Sequence, residues 1–446
     1  MAEIGPSPFV WLQFDEQGEL IAEAGDDPVV DLMKVVADPA ITDLVVLSHG
    51  WQNDLPDALA LYTRLWKNTC HALSAKGRDP AAFAVAGVLW PSKKFDAQYD
   101  GAEAMIVLQD AAGVRAVDDG GVGPSKVDDQ RFAEGLAVLE TLIGEAAEPV
   151  IAAARKAADE PDDDSAFIFF KTAKDALGYA DDEEDVELRA DALSFANLRD
   201  GRAQDLLSRY GIAFRVNLAP NTGKTVSLGS EVASIFAGPR SAVLWALNKL
   251  TYYTMKKRAG TVGEALSAKV LGQLVPDRAL RLHLVGHSFG GRLVTASVAQ
   301  LAVPANVTLA SVTLLEAAYS HNGLTQGVGS FSAAVGKPKG PFTITHTHND
   351  LACTIAYPLA SRLAGQAISG LGDANDPYGS MGANGPQGIK NGIDICDPAT
   401  FQLRSGSINT VLADGFIVRT AESDAHNNVY NEQCGRLLAE AICTPF

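Results

Sequence analysis

Short runs of mostly apolar residues with no helical period constrain this chain more than any other feature. They are Asp43–Ser48 (DLVVLS), Phe83–Trp90 (FAVAGVLW), Leu282–Val285 and Val307–Leu315. Runs of this length and composition read as strands covered on both faces, the condition of strands inside a parallel sheet. Helical segments follow two of them, at Asp57–Ala72 and Arg292–Leu301. Strands that alternate with helices pair in parallel, because a parallel partner is reached only through a crossover. Further strands are predicted at Phe342–Thr347 and Thr410–Arg419, and a last helix at Asn428–Ala441. Near the start, Phe9–Phe14, the turn Asp15-Glu16-Gln17-Gly18 and Leu20-Ile21 predict a β-hairpin. The fold class expected is α/β, a mainly parallel sheet flanked by helices.

At 446 residues the chain is long for a single domain. Between Asp100 and Pro239 the strand pattern stops. Phe132, Leu136, Leu139 and Ile143 fall on one helical face, and the acidic runs Asp159–Asp164 and Asp181–Glu187 read as solvated loops or helix starts. The expected organisation is therefore a core of residues 1–100 and 240–446 with a helical cap inserted at 101–239. The stretch Ile368–Phe401 is rich in Gly, Asn, Asp and Pro, and unpatterned segments of that length often border a site. The basic segment Met255–Gly263 (MKKRAGTVG) reads as a helix end and a turn before a helix toward Leu274.

A net charge of −18 disfavours nucleic acid and anionic membrane surfaces as partners. Five cysteines, Cys70, Cys353, Cys396, Cys434 and Cys443, form no C-x-x-C pair. Free thiols are expected in preference to a bridge from Cys396 to one of the last two. With no signal-type N-terminus and no apolar run of membrane length, the expectation is a cytoplasmic protein without a membrane span. Composition does not address oligomeric state.

The chemistry gathers around Gly286-His287-Ser288-Phe289-Gly290, followed by Gly291. A G-x-S-x-G segment between a strand and a helix puts serine on a sharp, strained turn, with the helix N-terminus beneath its hydroxyl. The N–H of Phe289 is one candidate oxyanion donor. The second comes from the turn after an earlier strand, His49-Gly50-Trp51, through the N–H of Trp51. Ser288 then needs a base and an orienting acid. His426, after the last strand and at the start of the last helix, is the candidate base. Asp350, after Phe342–Thr347, is the candidate acid, and Glu316, one strand earlier, is its rival.

Two other motifs compete. His346-x-His348-x-Asp350 is similar to the ligand string of a binuclear zinc hydrolase, but Leu351 stands where a further histidine is needed. Gly223-Lys224-Thr225 is similar to the end of a phosphate-binding loop, but Leu218 stands where glycine is required.

The order His49-Gly50-Trp51, Gly286-x-Ser288-x-Gly290, Asp350, His426 resembles the α/β-hydrolase superfamily over most of the chain outside 101–239. That resemblance implies a serine hydrolase, esterase-like, acting on a carboxylic ester, thioester or amide of small-molecule or polymer type, with no cofactor and no metal. The HGW loop departs from the HGGG run of many lipases. A binding protein that keeps this fold without catalysis is the alternative reading.

Overall fold

The apolar runs become the middle of a nine-stranded sheet. The computed structural model describes residues 2–22, 27–51, 53–92, 121–122, 129–178, 203–210, 212–215, 234–236, 238–350, 352–353, 379–389, 393–421 and 423–446. The chain opens with β1 (Ala2–Ile4), β2 (Ser7–Gln13), α1 (Pro28–Ala37), β3 (Asp43–Ser48), α2 (Leu55–Ala75) and β4 (Phe83–Leu89). Next come β5 (Gly121–Val122), α3 (Asp129–Ile143), α4 (Ala147–Asp159), α5 (Asp163–Ala176), α6 (Ala203–Tyr210), β6 (Ile212–Arg215) and β7 (Ser234–Phe236). Then follow α7 (Pro239–Lys269), β8 (Leu280–His287), α8 (Phe289–Gln300), β9 (Val307–Leu315) and β10 (Phe342–His346). The last elements are α9 (Met381–Asn384), β11 (Ile393–Cys396), β12 (Ile408–Leu412) and α10 (Glu432–Cys443).

The chain divides into two compact units, Met1–Lys93 with Lys256–Cys353 and Gly379–Phe446, and Lys94–Met255 with Thr354–Tyr378. The first holds the large sheet, in the order β1-β2-β4-β3-β8-β9-β10-β12-β11. Every neighbouring pair is parallel except β1 with β2. The fold is thus of the α/β class. All six residues of β3 are buried, which is why its sequence is apolar without alternation. On one face α2 and α10 close a core that includes Tyr62, Leu65, Trp66, Phe83, Leu438 and Ile442. α2 starts cleanly because Asp54 and Asp57 form a reciprocal capping box.

In the second unit, α3 buries Phe132, Leu136 and Leu139, the face read from the sequence. α4 buries an alanine-rich face, and α5 sets Phe169 and Phe170 in the interior. The unit also holds a small antiparallel sheet, β5-β6-β7, which no sequence pattern announced. Asp159 ends α4 and Asp162 caps α5, so the first acidic run does mark a helix start. The run Asp181–Glu187 and the segment Leu218 to Thr225 lie outside the described residues. Among the described residues no helix is long and apolar enough to cross a membrane.

Four expectations need correction. The hairpin turn forms, with Asp15 Oδ1 accepting from the N–H groups of Gln17 and Glu19, but its return arm is a single bridge, Phe14 to Leu20. The strand before it pairs instead with β4. Met255–Gly263 is neither a helix end nor a turn but the interior of α7. Burial of Ala259, Val262 and Leu266 on one face outweighs the local cost of Gly260 and Gly263. β12 ends at Leu412 rather than Arg419, because the chain turns at Ala413–Ile417, where both Phe416 and Ile417 donate back to the Ala413 carbonyl. α10 starts at Glu432 with Asn431 as its cap, so His426 lies in the loop before the helix rather than at its start. Within Ile368–Phe401, the described part is not wholly irregular, since it contains α9 and β11. All five cysteines are free, four of them buried.

Candidate active site

Parallel strands point their carboxyl ends at one edge of the sheet, where ligands of open α/β folds bind. There the chain leaves β3 at His49, β8 at Ser288, β9 at Glu316, β10 at Thr347 and β12 at Ala413. The sequence-predicted residues meet at this edge.

Ser288 stands between β8 and α8 with φ 56° and ψ −124°, a backbone that L-residues rarely adopt. Its N–H donates to Leu315 O at 3.1 Å, and its carbonyl accepts from Gly291 N–H at 2.9 Å and Ala318 N–H at 3.0 Å. These bonds hold the strained turn. Gly286 and Gly290 are required by close approach. A side chain at Gly290 would collide with the carbonyls of Ser48 and His49, and one at Gly286 with the Gly290 carbonyl. The turn therefore seats Ser288 against the end of β3. A Cβ at Gly50 would stand 2.7 Å from Ser288 Cβ and 3.2 Å from its Oγ, so only glycine lets the HGW loop pass.

His426 Nε2 lies 2.8 Å from Ser288 Oγ, and His426 Nδ1 lies 2.6 Å from Asp350 Oδ2. Because the carboxylate can only accept, Nδ1 carries the proton and Nε2 accepts from the serine hydroxyl. Asp350 Oδ1 accepts from the Cys353 N–H at 3.0 Å. Burial alone would push both groups toward neutrality. The His426 charge and hydrogen bond nevertheless hold the Asp350 pKa below its ordinary value, and Asp350 raises that of His426. Glu316 does not take the imidazole. Its Oε1 accepts from Thr345 Oγ1 at 2.9 Å, and Asp350 is the acid that meets His426.

The HGW loop is fixed by contacts the sequence did not disclose. His49 is fully buried and stacks on Trp90 with ring centroids 5.7 Å apart. Its Nδ1 donates to Gly50 O at 2.8 Å, and its N–H donates to the Tyr62 hydroxyl at 2.8 Å. Burial drives the His49 pKa down to about 4, so this ring is neutral. Since a trans peptide sets C=O and N–H on opposite sides, holding Gly50 O also sets the direction of the Trp51 N–H. The Trp51 and Phe289 rings meet edge-on at 6.1 Å, which brings the two candidate oxyanion loops side by side.

Two further residues escaped sequence reasoning. His287 Nε2 donates to the backbone carbonyl of His426 at 2.9 Å, tying the candidate base to the serine turn. Burial takes the His287 pKa down to about 3. Asp414 accepts from Thr347 Oγ1, the His348 N–H and His348 Nδ1 at 2.7, 2.8 and 2.9 Å, and so shapes the loop that delivers Asp350. The His346-x-His348-x-Asp350 string is thereby taken apart, because His348 pairs with Asp414 and Asp350 with His426. The one signal available was position, since Asp414 follows β12 as Asp350 follows β10.

Among the described residues, Asp350, Cys353 and His426 bring ligand-type atoms within 4.8 Å of one another. His426 Nδ1 and the Cys353 backbone N–H hold these residues on Asp350, while Cys353 Sγ donates to the Glu316 carbonyl at 3.4 Å. Chemically, the arrangement can deprotonate a serine hydroxyl poised at a helix N-terminus. Comparison with protein-family models, curated proteins and solved structures finds no match to this chain.

Proposed function

We propose that this protein is a serine hydrolase of the α/β-hydrolase type that cleaves a carboxylic ester, thioester or amide through an acyl-enzyme. The observation that carries the reading is the unbroken chain from Ser288 Oγ through His426 to Asp350, at 2.8 and 2.6 Å, on a turn with φ 56°. His426 takes the Ser288 proton as Oγ attacks the carbonyl carbon, then passes it to the leaving group. Asp350 stabilises the imidazolium, and the backbone N–H groups of Phe289 and Trp51 hold the oxyanion. One such donor lowers the barrier by about 3–4 kcal/mol. Water, deprotonated by His426, then releases the acid and returns the proton to Ser288.

A panel of p-nitrophenyl esters of increasing acyl length tests the reading in the wild type and in Ser288→Ala. Turnover that disappears in the variant supports it, and turnover that persists unchanged sinks it. A folded wild-type protein inert to the whole panel and to organophosphonates would instead favour a non-catalytic binding protein.

A further inference from the structure

Glu316 follows β9 directly, is wholly buried, and has a left-handed backbone with φ 47°. Non-glycine residues hold that conformation only where their surroundings compel it. Here the Glu316 N–H donates to Thr345 Oγ1 at 3.1 Å, and its carbonyl accepts from Cys353 Sγ at 3.4 Å. Glu316 Oε1 accepts the Thr345 hydroxyl, while Oε2, equally buried, meets no N–H or hydroxyl donor. Cys353 bridges the two acids, with its Sγ at the Glu316 carbonyl and its N–H on Asp350 Oδ1, so the buried Glu316 and Asp350 carboxyls stand next to each other.

Two carboxyls in such contact, both out of water, do not ionise together. One proton has to lie between them. Asp350 is the member with reason to stay anionic, since it accepts from His426 Nδ1 and from the Cys353 N–H. Among the described residues, the carboxyls of Asp350 and Asp414 and the thiols of Cys353 and Cys434 interact electrostatically with Glu316, and none of these is a cation. Burial first, and the Asp350 charge second, push the Glu316 pKa well above the ordinary glutamate value.

We propose that Glu316 is a positioning residue of the triad, a neutral acid that keeps the shared proton and donates it as an O–H hydrogen bond to Asp350. Its effect on catalysis rests on the serine-hydrolase reading; the location of its proton does not. The O–H stays on Glu316 throughout turnover. Its hydrogen bond spreads the Asp350 charge, which keeps His426 less basic than a bare aspartate would make it. It also fixes the Asp350 carboxyl so that Oδ2 meets Nδ1.

Two readouts test this separately. Infrared spectra of the whole protein at pH 7 should show a protonated-carboxyl C=O band. That band should shift when glutamate is labelled with carbon-13, stay put when aspartate is labelled, and vanish in Glu316→Gln. The labelling arm needs no variant to fold. In the kinetic arm, Glu316→Gln keeps an N–H donor and should stay within about threefold of wild-type kcat/KM. Glu316→Leu lacks a donor and should lose about tenfold, with the kinetic pKa of His426 raised by roughly half to one unit. A merely structural role would not move that pKa, nor let glutamine restore it. No glutamate-derived acid band at pH 7 would overturn the proposal. So would a Glu316→Gln variant whose kinetic pKa falls by about a unit, the mark of a lost negative charge. The acid band in a protein without turnover would leave the proton assignment standing while the hydrolase reading fell.

Discussion

Among its described residues the first unit contains two Ser–His–Asp chains, and their contrast shows what separates the arrangement proposed as reactive from a structural one. Besides Ser288–His426–Asp350, Ser311 Oγ lies 2.8 Å from His283 Nδ1, and His283 Nε2 lies 3.0 Å from Asp43 Oδ1. In both, the imidazole donates to a carboxylate and accepts from a hydroxyl. The second chain runs across the neighbouring strands β3, β8 and β9, well before their carboxyl ends, and all three of its residues are fully buried. Ser311 sits inside β9, just after a register shift against β8, with no positive φ and no helix N-terminus behind it. Arg78 and Arg281 also reach Asp43, at 2.9 and 2.7 Å. Burial, reinforced by those two guanidiniums, pushes the His283 pKa down, whereas Asp350 raises that of His426. One chain leaves its carboxylate available to an imidazolium; the other has already balanced it.

The largest effect expected from this contrast is on turnover. Ser288→Ala should lower kcat by a factor on the order of 10⁵–10⁶. Ser311→Ala should leave kcat unchanged and destabilise the fold by about 1–3 kcal/mol, because His283 Nδ1 loses its partner. Equal kinetic losses in both variants would erase the distinction. Asp350→Asn, which should leave an imidazole of the wrong tautomer, is expected to cost about 10⁴-fold in kcat with little change in unfolding midpoint.

Asp43→Asn inverts that pattern. Breaking a buried ion pair by removing one partner costs about 3–5 kcal/mol, measurable by denaturant titration, while the kcat of the folded fraction stays at the wild-type value. The pH dependence follows. Burial opposes ionisation of Asp43, but hydrogen bonds from His283, Thr42 and Arg281 lower its pKa from 3.8 to about 2. Its stabilisation is therefore full above its unfolded pKa and lost as pH falls through the folded value, in the window from about pH 4 to about pH 2. An acid-unfolding curve unchanged over that window by Asp43→Asn would contradict the assignment.

The smallest expected effect is on the pH profile. Because the His426 pKa is raised from 6.5 by Asp350, kcat/KM should climb with pH through a midpoint above 6.5. Its stability contribution has the opposite sense, present below the unfolded pKa and lost as pH rises through the folded one. Asp350→Asn should move the kinetic midpoint down.

Much of this contrast was legible before the structure. β3 and β9 are covered on both faces, so their apolar character survives in sequence whatever surrounds them. The serine turn writes itself locally, because steric demand fixes Gly286 and Gly290 within two residues of Ser288. Asp350 and His426 were reachable from the order of strand ends. The second chain was not, since Asp43, His283 and Ser311 become neighbours only once β3, β8 and β9 take their register. The grip of Asp414 on the loop before Asp350 and the contact of Glu316 with Asp350 are likewise products of tertiary proximity. Met255–Gly263 was misread because local glycine cost is a weak guide where one face is buried.

The most direct measurement is site mapping of a fluorophosphonate probe by mass spectrometry on the wild type, Ser288→Ala and Ser311→Ala. The account predicts a single adduct on Ser288 in the wild type and in Ser311→Ala, and none in Ser288→Ala. Folded wild-type protein that takes up no probe, or an adduct that persists in Ser288→Ala, would contradict it.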